Sequence, residues 1–369
     1  MLSKLEAFWK KETVLCIAAV CALATMLLVP PDSTYLEYID VHVLCLLLCL
    51  MAVVAGLQAC GIFRWLTYQV LRGGRSGRIL GVVLVLLPFF SSMLVTNDVA
   101  LLVFVPFTLG LLLRMNCRLA IAPMLVMQTI AANLGSMATP VGNPQNLFLY
   151  SAYDLTIGAF FGVTLPLSTV SLICLGVAGA FILPRALPEL DLPQETMPQP
   201  HKLAVYALLF VICLLAVFHV MSDAVMLLAV LAAIIVLDRQ LLHDLDYALL
   251  ATFVCFFIVS GNLGRLDVVH IFLQSLLTDN ALLTAVGASQ LISNVPAAVL
   301  LSGFTDQWSA LLEGVNIGGL GTPVASLASL ITLKQYMRWP QANIGKFLLI
   351  FLLANLVGLV VLLPVAWFF

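Results

Sequence analysis

Asn133-Leu134-Gly135-Ser136-Met137-Ala138-Thr139-Pro140-Val141-Gly142-Asn143-Pro144 recurs without a gap as Asn316-Ile317-Gly318-Gly319-Leu320-Gly321-Thr322-Pro323-Val324-Ala325-Ser326-Leu327. Asn, Gly and Thr-Pro-Val stand at the same places in both copies. Upstream of each copy lies a second polar break, Thr96-Asn97-Asp98-Val99 in the first half and Ser293-Asn294-Val295-Pro296 in the second. Four polar interruptions arranged as two pairs, in a chain otherwise apolar, are the pattern of a secondary carrier whose broken helices meet near the bilayer midplane.

The composition makes a membrane the solvent. Of 369 residues, 63% are hydrophobic and only 9% charged, and the mean hydropathy is +1.13. Soluble domains are nearer half apolar. A net charge of -2 leaves no electrostatic footprint for nucleic acid. The nine cysteines form no C-x-x-C pair and no Cys/His cluster, so no metal is expected, and Cys45 and Cys49 read as small packing residues. Cys21-Ala22-Leu23-Ala24 resembles a processing site, but Pro30-Pro31 and the many later spans favour an uncleaved first helix.

Apolar runs long enough to cross a bilayer at roughly 20 residues each, read together with the basic residues, give an order. The first repeat, residues 1–183, holds spans at 14–29 and 41–57, a re-entrant hairpin at 79–113, a broken helix at 119–150 and a span at 157–183. A Pro- and acid-rich cytoplasmic linker, 184–202, and an inverting helix, 203–220, follow. The second repeat, residues 221–369, holds spans at 224–237 and 249–261, a hairpin at 281–310, a broken helix at 312–334 and a span at 347–369. Folding 79–113 back on itself keeps Arg114 and Arg118 on the side of Arg64, Arg72, Arg75 and Arg78. With Lys4, Lys10 and Lys11 also inside, fifteen of the sixteen Lys and Arg are cytoplasmic, and only Arg265 is not. The expectation is an all-α polytopic protein of the cell inner membrane, with two inverted-topology repeats, a cytoplasmic N-terminus and a periplasmic C-terminus. Trp9, Trp367, Tyr35 and Tyr38 read as interface anchors, and Asp223, Asp267 and His219 as interfacial.

The spacing from Asn97 to Asn133 is 36 residues, that from Asn294 to Asn316 only 22. The second hairpin's return arm is therefore expected to be short or steeply tilted.

The breaks carry the chemistry. An unpaired amide or carbonyl in hydrocarbon costs several kcal/mol, so irregular backbone survives at depth only beside a polar cavity. Gly135, Gly142, Gly318, Gly319 and Gly321 permit unwinding, and Pro140, Pro144 and Pro323 remove donors. Thr96, Asn97, Asn133, Ser136, Thr139, Asn143, Asn146, Ser293, Asn294, Asn316, Thr322, Ser326 and Ser329 supply oxygens and amides. Half-helix N-termini after Pro144 and Pro323 favour an anion. Asp98 is the one acid expected deep in the apolar region, where an ionised carboxylate costs at least about 2.5–3.5 kcal/mol. It is expected to bind a coupling H+ or Na+, or else to pin the hairpin tip as a neutral acid. Paired intramembrane aspartates, Ser/Lys or Ser/His pairs and a His-Glu-x-x-His motif are absent, which argues against an enzyme.

These motifs resemble the ion transporter superfamily of citrate, dicarboxylate, arsenite and sodium/proton carriers. In the dicarboxylate branch each tip carries Ser-Asn-Thr and helps to bind sodium. Here Thr96-Asn97-Asp98 and Ser293-Asn294-Val295 keep the central Asn and change the third residue. Thr96-Asn97-Asp98 and the run Gly321 to Ala328 look more like the arsenite-permease-like branch. The resemblance implies an elevator-type carrier, often a homodimer, with Na+ contacts at Asn97 and Asn294. The expected activity is secondary active transport of a small ion, by preference an anion such as an arsenite-like oxyanion, a monoanion or a small carboxylate, coupled to H+ or Na+. A Na+/H+ antiporter using Asp98 is the first rival, and a passive channel a further one.

Overall fold

A computed structural model describes residues 12–71, 76–185 and 199–368. Lys4, Trp9, Lys10, Lys11, Arg72, Arg75 and the centre of the linker lie outside the described residues. All regular structure among the described residues is helical, and eight helices are long and apolar enough to cross a membrane.

In chain order the helices are α1 Thr13–Leu28, α2 Tyr35–Tyr38, α3 Val41–Ala59, α4 Ile62–Leu71, α5 Gly77–Ser92, α6 Asn97–Arg114, α7 Arg118–Ser136, α8 Pro144–Ala152 and α9 Ile157–Ile182. They continue as α10 Pro200–Val217, α11 Asp223–Leu237, α12 Leu241–Asp244, α13 Tyr247–Gly264, α14 Asp267–Ile292, α15 Asn294–Ser302, α16 Trp308–Ile317, α17 Leu327–Met337 and α18 Ile344–Phe368.

Starts and stops follow local chemistry. Asp40 caps α3 by accepting from Val43 N at 2.9 Å, and Asp246 caps α13 by accepting from Leu249 N at 2.9 Å. Asn143 caps α8, whose first residue is Pro144, where a missing N–H costs nothing.

Four boundaries differ from the sequence reading. The second broken helix begins at Trp308 rather than 312, because residues 303–307 form the turn that ends the hairpin. The inverting helix begins at Pro200 rather than 203. Residues 267–279, expected as a connection, form a helix that ends in a bend at Asn280, where the backbone leaves helical geometry at φ -162° and ψ 90° and Thr284 Oγ1 donates to Leu276 O at 3.0 Å. Asn280 Oδ1 then accepts from Leu283 N at 2.8 Å and restarts the helix. Thr278-Asp279-Asn280 reads as a loop in sequence because all three are weak helix formers. Finally, α4 forms in the stretch expected as a cytoplasmic loop.

The core sits in two clusters, and the broken helices bridge them. One cluster takes Leu147, Phe148 and Leu149 from α8, Leu311, Leu312 and Val315 from α16, and the apolar side of α15, together with α3, α10, α11 and α13. The other takes α5, α6 and α7, Ala328 and Tyr336 from α17, and α9 and α18. The first broken helix passes from the second cluster to the first, and the second passes the opposite way. The unwound segments of the two broken helices therefore lie where the two clusters meet.

At one end of the bundle, Asp32, in the loop after α1, accepts from Thr34 Oγ1 at 2.5 Å and pairs with Arg265 at 2.8 Å. The Thr34 hydroxyl first, and then the Arg265 guanidinium, hold its carboxyl below the usual aspartate range. A carboxyl depressed in the folded protein contributes stability above its unfolded pKa and loses it as pH falls through the folded value. The stability difference between the wild type and Asp32→Asn is therefore expected to shrink as pH drops below the ordinary aspartate pKa, read by thermal unfolding in detergent at a series of pH values. His42, opening α3, meets Asp223, opening α11, at 2.7 Å, and its ring stacks on His219 with centroids 5.3 Å apart.

Candidate functional site

The two hairpin tips are built alike. Asn97 N donates to Gly142 O at 3.3 Å, and Asn294 N donates to Ala325 O at 3.0 Å. Gly142 and Ala325 occupy the same place in the two aligned copies, so each tip docks on the corresponding carbonyl of its own broken helix. Each tip Asn also turns its Oδ1 onto the next N–H, Asp98 N at 3.0 Å and Val295 N at 3.0 Å. One lone pair of Asn97 Oδ1 stays available, whereas Asn294 Oδ1 also accepts from Ser293 Oγ at 3.4 Å. The second tip is the more strained, with Ser293 at φ 74°, a left-handed conformation that a residue with a Cβ rarely adopts. Ser293 Oγ donates to Ala325 O at 3.3 Å.

Two asparagines at aligned positions then join the halves. Asn133 Oδ1 accepts from Asn97 Nδ2 at 2.9 Å and from Ser326 Oγ at 3.1 Å. Asn316 Oδ1 accepts from Asn143 Nδ2 at 3.2 Å, and its Nδ2 donates to Asn146 Oδ1 at 2.7 Å. Asn143 and Ser326 are themselves an aligned pair, so the two cross-links are the same bond made in opposite directions. Asn133, Asn143, Asn146, Asn316 and Ser326 are all buried. They form an uncharged polar layer in which amides and hydroxyls meet each other's demands, as burial requires. No described Lys or Arg is buried.

The unwound carbonyls find partners as well. Asn146 Nδ2 reaches Met137 O and Thr139 O, both at 3.1 Å, and Ser136 O at 3.4 Å. Ser136 Oγ donates to Asn133 O at 2.9 Å, and Thr139 Oγ1 donates to Met93 O beside the first tip at 2.5 Å. In the second break Gln290 does this work. Its Nε2 donates to Gly318 O and Leu320 O, both at 2.8 Å, and its Oε1 accepts from Thr322 N at 2.8 Å. Thr322 Oγ1 donates to Gln290 O at 3.3 Å. Sequence reasoning missed Gln290, and the only signal was a lone amide in an apolar hairpin arm.

Of the residues expected to break the backbone, Pro140 and Gly142 lie in the turn between α7 and α8, Pro144 opens α8, and Gly318, Gly319, Gly321 and Pro323 lie between α16 and α17. Gly321 has φ +110°, which glycine alone adopts without strain. Gly135 answers a different need, since a Cβ there would lie 2.1 Å from Phe89 O of the hairpin arm. The obstacle is backbone, so it does not yield by a rotamer change. Gly135→Ala is expected to cost about 1–3 kcal/mol, read as a fall in melting temperature in detergent, whereas Gly110→Ala, which meets open space, is expected to leave it unchanged.

Beside the first tip lies a cavity of about 290 Å³ whose lining includes Thr96, Asp98, Asn143, Asp244 and Asp246. Asp98 Oδ1 is buried and has no hydrogen-bond partner. No Lys or Arg lines this space, so its field attracts cations. Among the described residues no group of three or more His, Cys, Asp or Glu is placed to hold a metal.

Known proteins resemble this chain over most of its length. A model of the citrate transporter family (CitMHS) matches residues 6–307, which takes in the first repeat, the first break and the whole second hairpin. An uncharacterized transporter of Methanocaldococcus jannaschii is 32% identical over 315 residues, spanning 83% of this chain and 84% of that protein. Inner membrane protein YbiR of Escherichia coli is 30% identical over 299 residues, spanning 80% of each chain. A shorter stretch of 118 residues is 36% identical to silicon efflux transporter LSI3 of Oryza sativa, covering 32% of this chain and 24% of that one. With eight potential spans among its described residues and similarity to membrane transporters over most of its length, the chain is a multi-pass transporter, and it belongs to the citrate transporter family.

Proposed function

We propose that the chain is an inner-membrane secondary carrier that moves a small ion, coupled to H+ or Na+, by alternating access at the polar layer between its two halves. One observation carries the reading: Asn133 and Asn316, aligned in sequence, each hydrogen-bond across from one half of the chain to the other, to Ser326 and to Asn143. A merely kinked helix needs no such reciprocal cross-link. In this reading α5 and α6 form a hairpin entering from the cytoplasm, and the second arm of α14 with α15 forms one entering from the periplasm. The two tips and two broken helices then move together past the remaining spans, as an elevator. The return arm α15, nine residues long, supports the short second hairpin that the spacing requires. The N-terminus is cytoplasmic and the C-terminus periplasmic, and a homodimer supplies the fixed scaffold.

The layer's chemistry narrows the cargo. Amides and hydroxyls without any buried Lys or Arg leave a multiply charged anion without a counter-charge. A monoanion, a small carboxylate paired with its coupling cation, or a weakly acidic hydroxide fits better. Arsenite and silicic acid are the hydroxides to try, and the likeness to a silicon efflux transporter adds to the case for the second. The test is purified protein in proteoliposomes under imposed H+ or Na+ gradients, with citrate, arsenite and silicic acid offered in turn. Uptake of a small hydroxide or monoanion that collapses when the gradient is removed is expected. Flux that ignores every ion gradient would make the protein a channel.

A second reading rests on the acid-lined cavity: an exchanger of Na+ for H+ at Asp98. Sodium-driven proton movement in vesicles lacking any added anion would establish it over the first.

A further inference from the structure

A second carboxyl lies in the apolar bundle. Glu313 is only 8% exposed, midway along α16, between Leu311 and Leu312 on one side and Gly314, Val315 and Asn316 on the other, all buried. Among the described residues it has no ion pair and no hydrogen bond. The helices packed against α16 are α7, α8, α9, α14, α15 and α18. The ionisable groups they carry are Arg118, Tyr150, Cys174, Asp267, His270, Asp279 and Lys346. None of these bonds to Glu313.

An ionised carboxylate without a partner is not sustained at such a place, whereas a neutral acid is. The position is also tied to the site. Glu313 precedes Asn316 by three residues, less than one turn, so the two side chains lie about 60° apart around the helix. Asn316 is the residue that joins α16 to Asn143 and Asn146. The helix packed there, α8, carries another unmet polar atom, Gln145 Oε1, buried without a donor. A rearrangement of the polar layer during transport moves α16 and changes what Glu313 can reach.

We propose that Glu313 is a proton-binding site of the carrier, separate from Asp98, which gains and loses a proton as the second broken helix changes its surroundings. The idea deepens the transport reading and rests on it for its role in the cycle, but the binding of the proton is independent of any cargo. Infrared difference spectra of the reconstituted protein, taken between about pH 5 and about pH 9, the range in which buried glutamates titrate, read the carboxyl stretch directly. A protonated-carboxyl band that titrates in the wild type and in Asp98→Asn, and is absent in Glu313→Gln, is expected. Glu313→Asp is expected to restore a band at a shifted position. Identical spectra for the wild type and Glu313→Gln, or a Glu313 band that never titrates, would overturn the proposal. In pyranine-loaded vesicles, Glu313→Gln is expected to carry one proton fewer per cargo while still transporting. An unchanged ratio would remove Glu313 from the cycle, whereas absence of transport in the wild type itself would instead remove the carrier reading and leave the spectra standing.

Discussion

Asn133→Leu is expected to abolish transport and to lower stability by about 3 kcal/mol. Leucine matches asparagine roughly in size, so the loss is one of hydrogen bonds and not of packing. The single oxygen Asn133 Oδ1 serves two donors, Asn97 Nδ2 on the first hairpin and Ser326 Oγ in the second broken helix. Removing it strands both at once in a buried layer, and each stranded group costs about 1–3 kcal/mol. The melting temperature in detergent measures the first effect and uptake into vesicles the second. Ser329→Ala is the control. Ser329 is also buried in this layer, but its hydroxyl has no partner, so its removal is expected to change neither quantity. Equal losses in the two variants would mean that the layer is held by packing alone.

Asp98→Asn is expected to separate coupling from folding. Asp98 Oδ1 is buried without a donor in the lining of the acidic cavity, so the neutral amide removes no bond that the folded state relies on. Thermal stability is therefore expected to hold or to rise. Uptake is expected to lose the share of its dependence on pH or on Na+ that Asp98 carries, seen as a weaker response to the imposed gradient than in the wild type. If the variant keeps the wild-type gradient dependence, Asp98 is a structural acid that fixes the hairpin tip, and the coupling site lies elsewhere.

The repeated Thr-Pro-Val motif made the two unwound segments legible, because Gly and Pro in an apolar chain act locally: one frees the backbone and the other deletes a donor. The same locality let the spacing of Asn294 and Asn316 anticipate a short return arm, seen as α15. What could not be read depended on partners distant in sequence. Gln290 looks like any amide on an apolar helix until folding brings Gly318 O, Leu320 O and Thr322 N around it. Asn133 and Ser326 are 193 residues apart, and nothing in either neighbourhood announces their bond. The burial of Glu313 could not be read because Asp306, Gln307 and Trp308 before it suggest an interface, and only the turn at 303–307 shows that α16 starts ahead of it. The stretch 267–279 was lost for a similar reason: three weak helix formers at its end look like a loop, although the helix runs through two of them before Asn280 breaks it.

The central claim is that two helical hairpins enter the membrane from opposite faces and hold an uncharged polar layer between them. Helix α6 is long enough to cross a bilayer, so the claim is open to a direct test. Single cysteines at Ser76, Asn116, Asp279 and Asp306, all exposed and each beside one end of a hairpin, can be introduced into a cysteine-free background. A membrane-impermeant maleimide is then applied to intact cells and to inverted vesicles. Ser76→Cys and Asn116→Cys are expected to react only in inverted vesicles, and Asp279→Cys and Asp306→Cys only in intact cells. Labelling of Ser76→Cys and Asn116→Cys from opposite faces would make α5 and α6 one interrupted crossing rather than a hairpin and contradict the account.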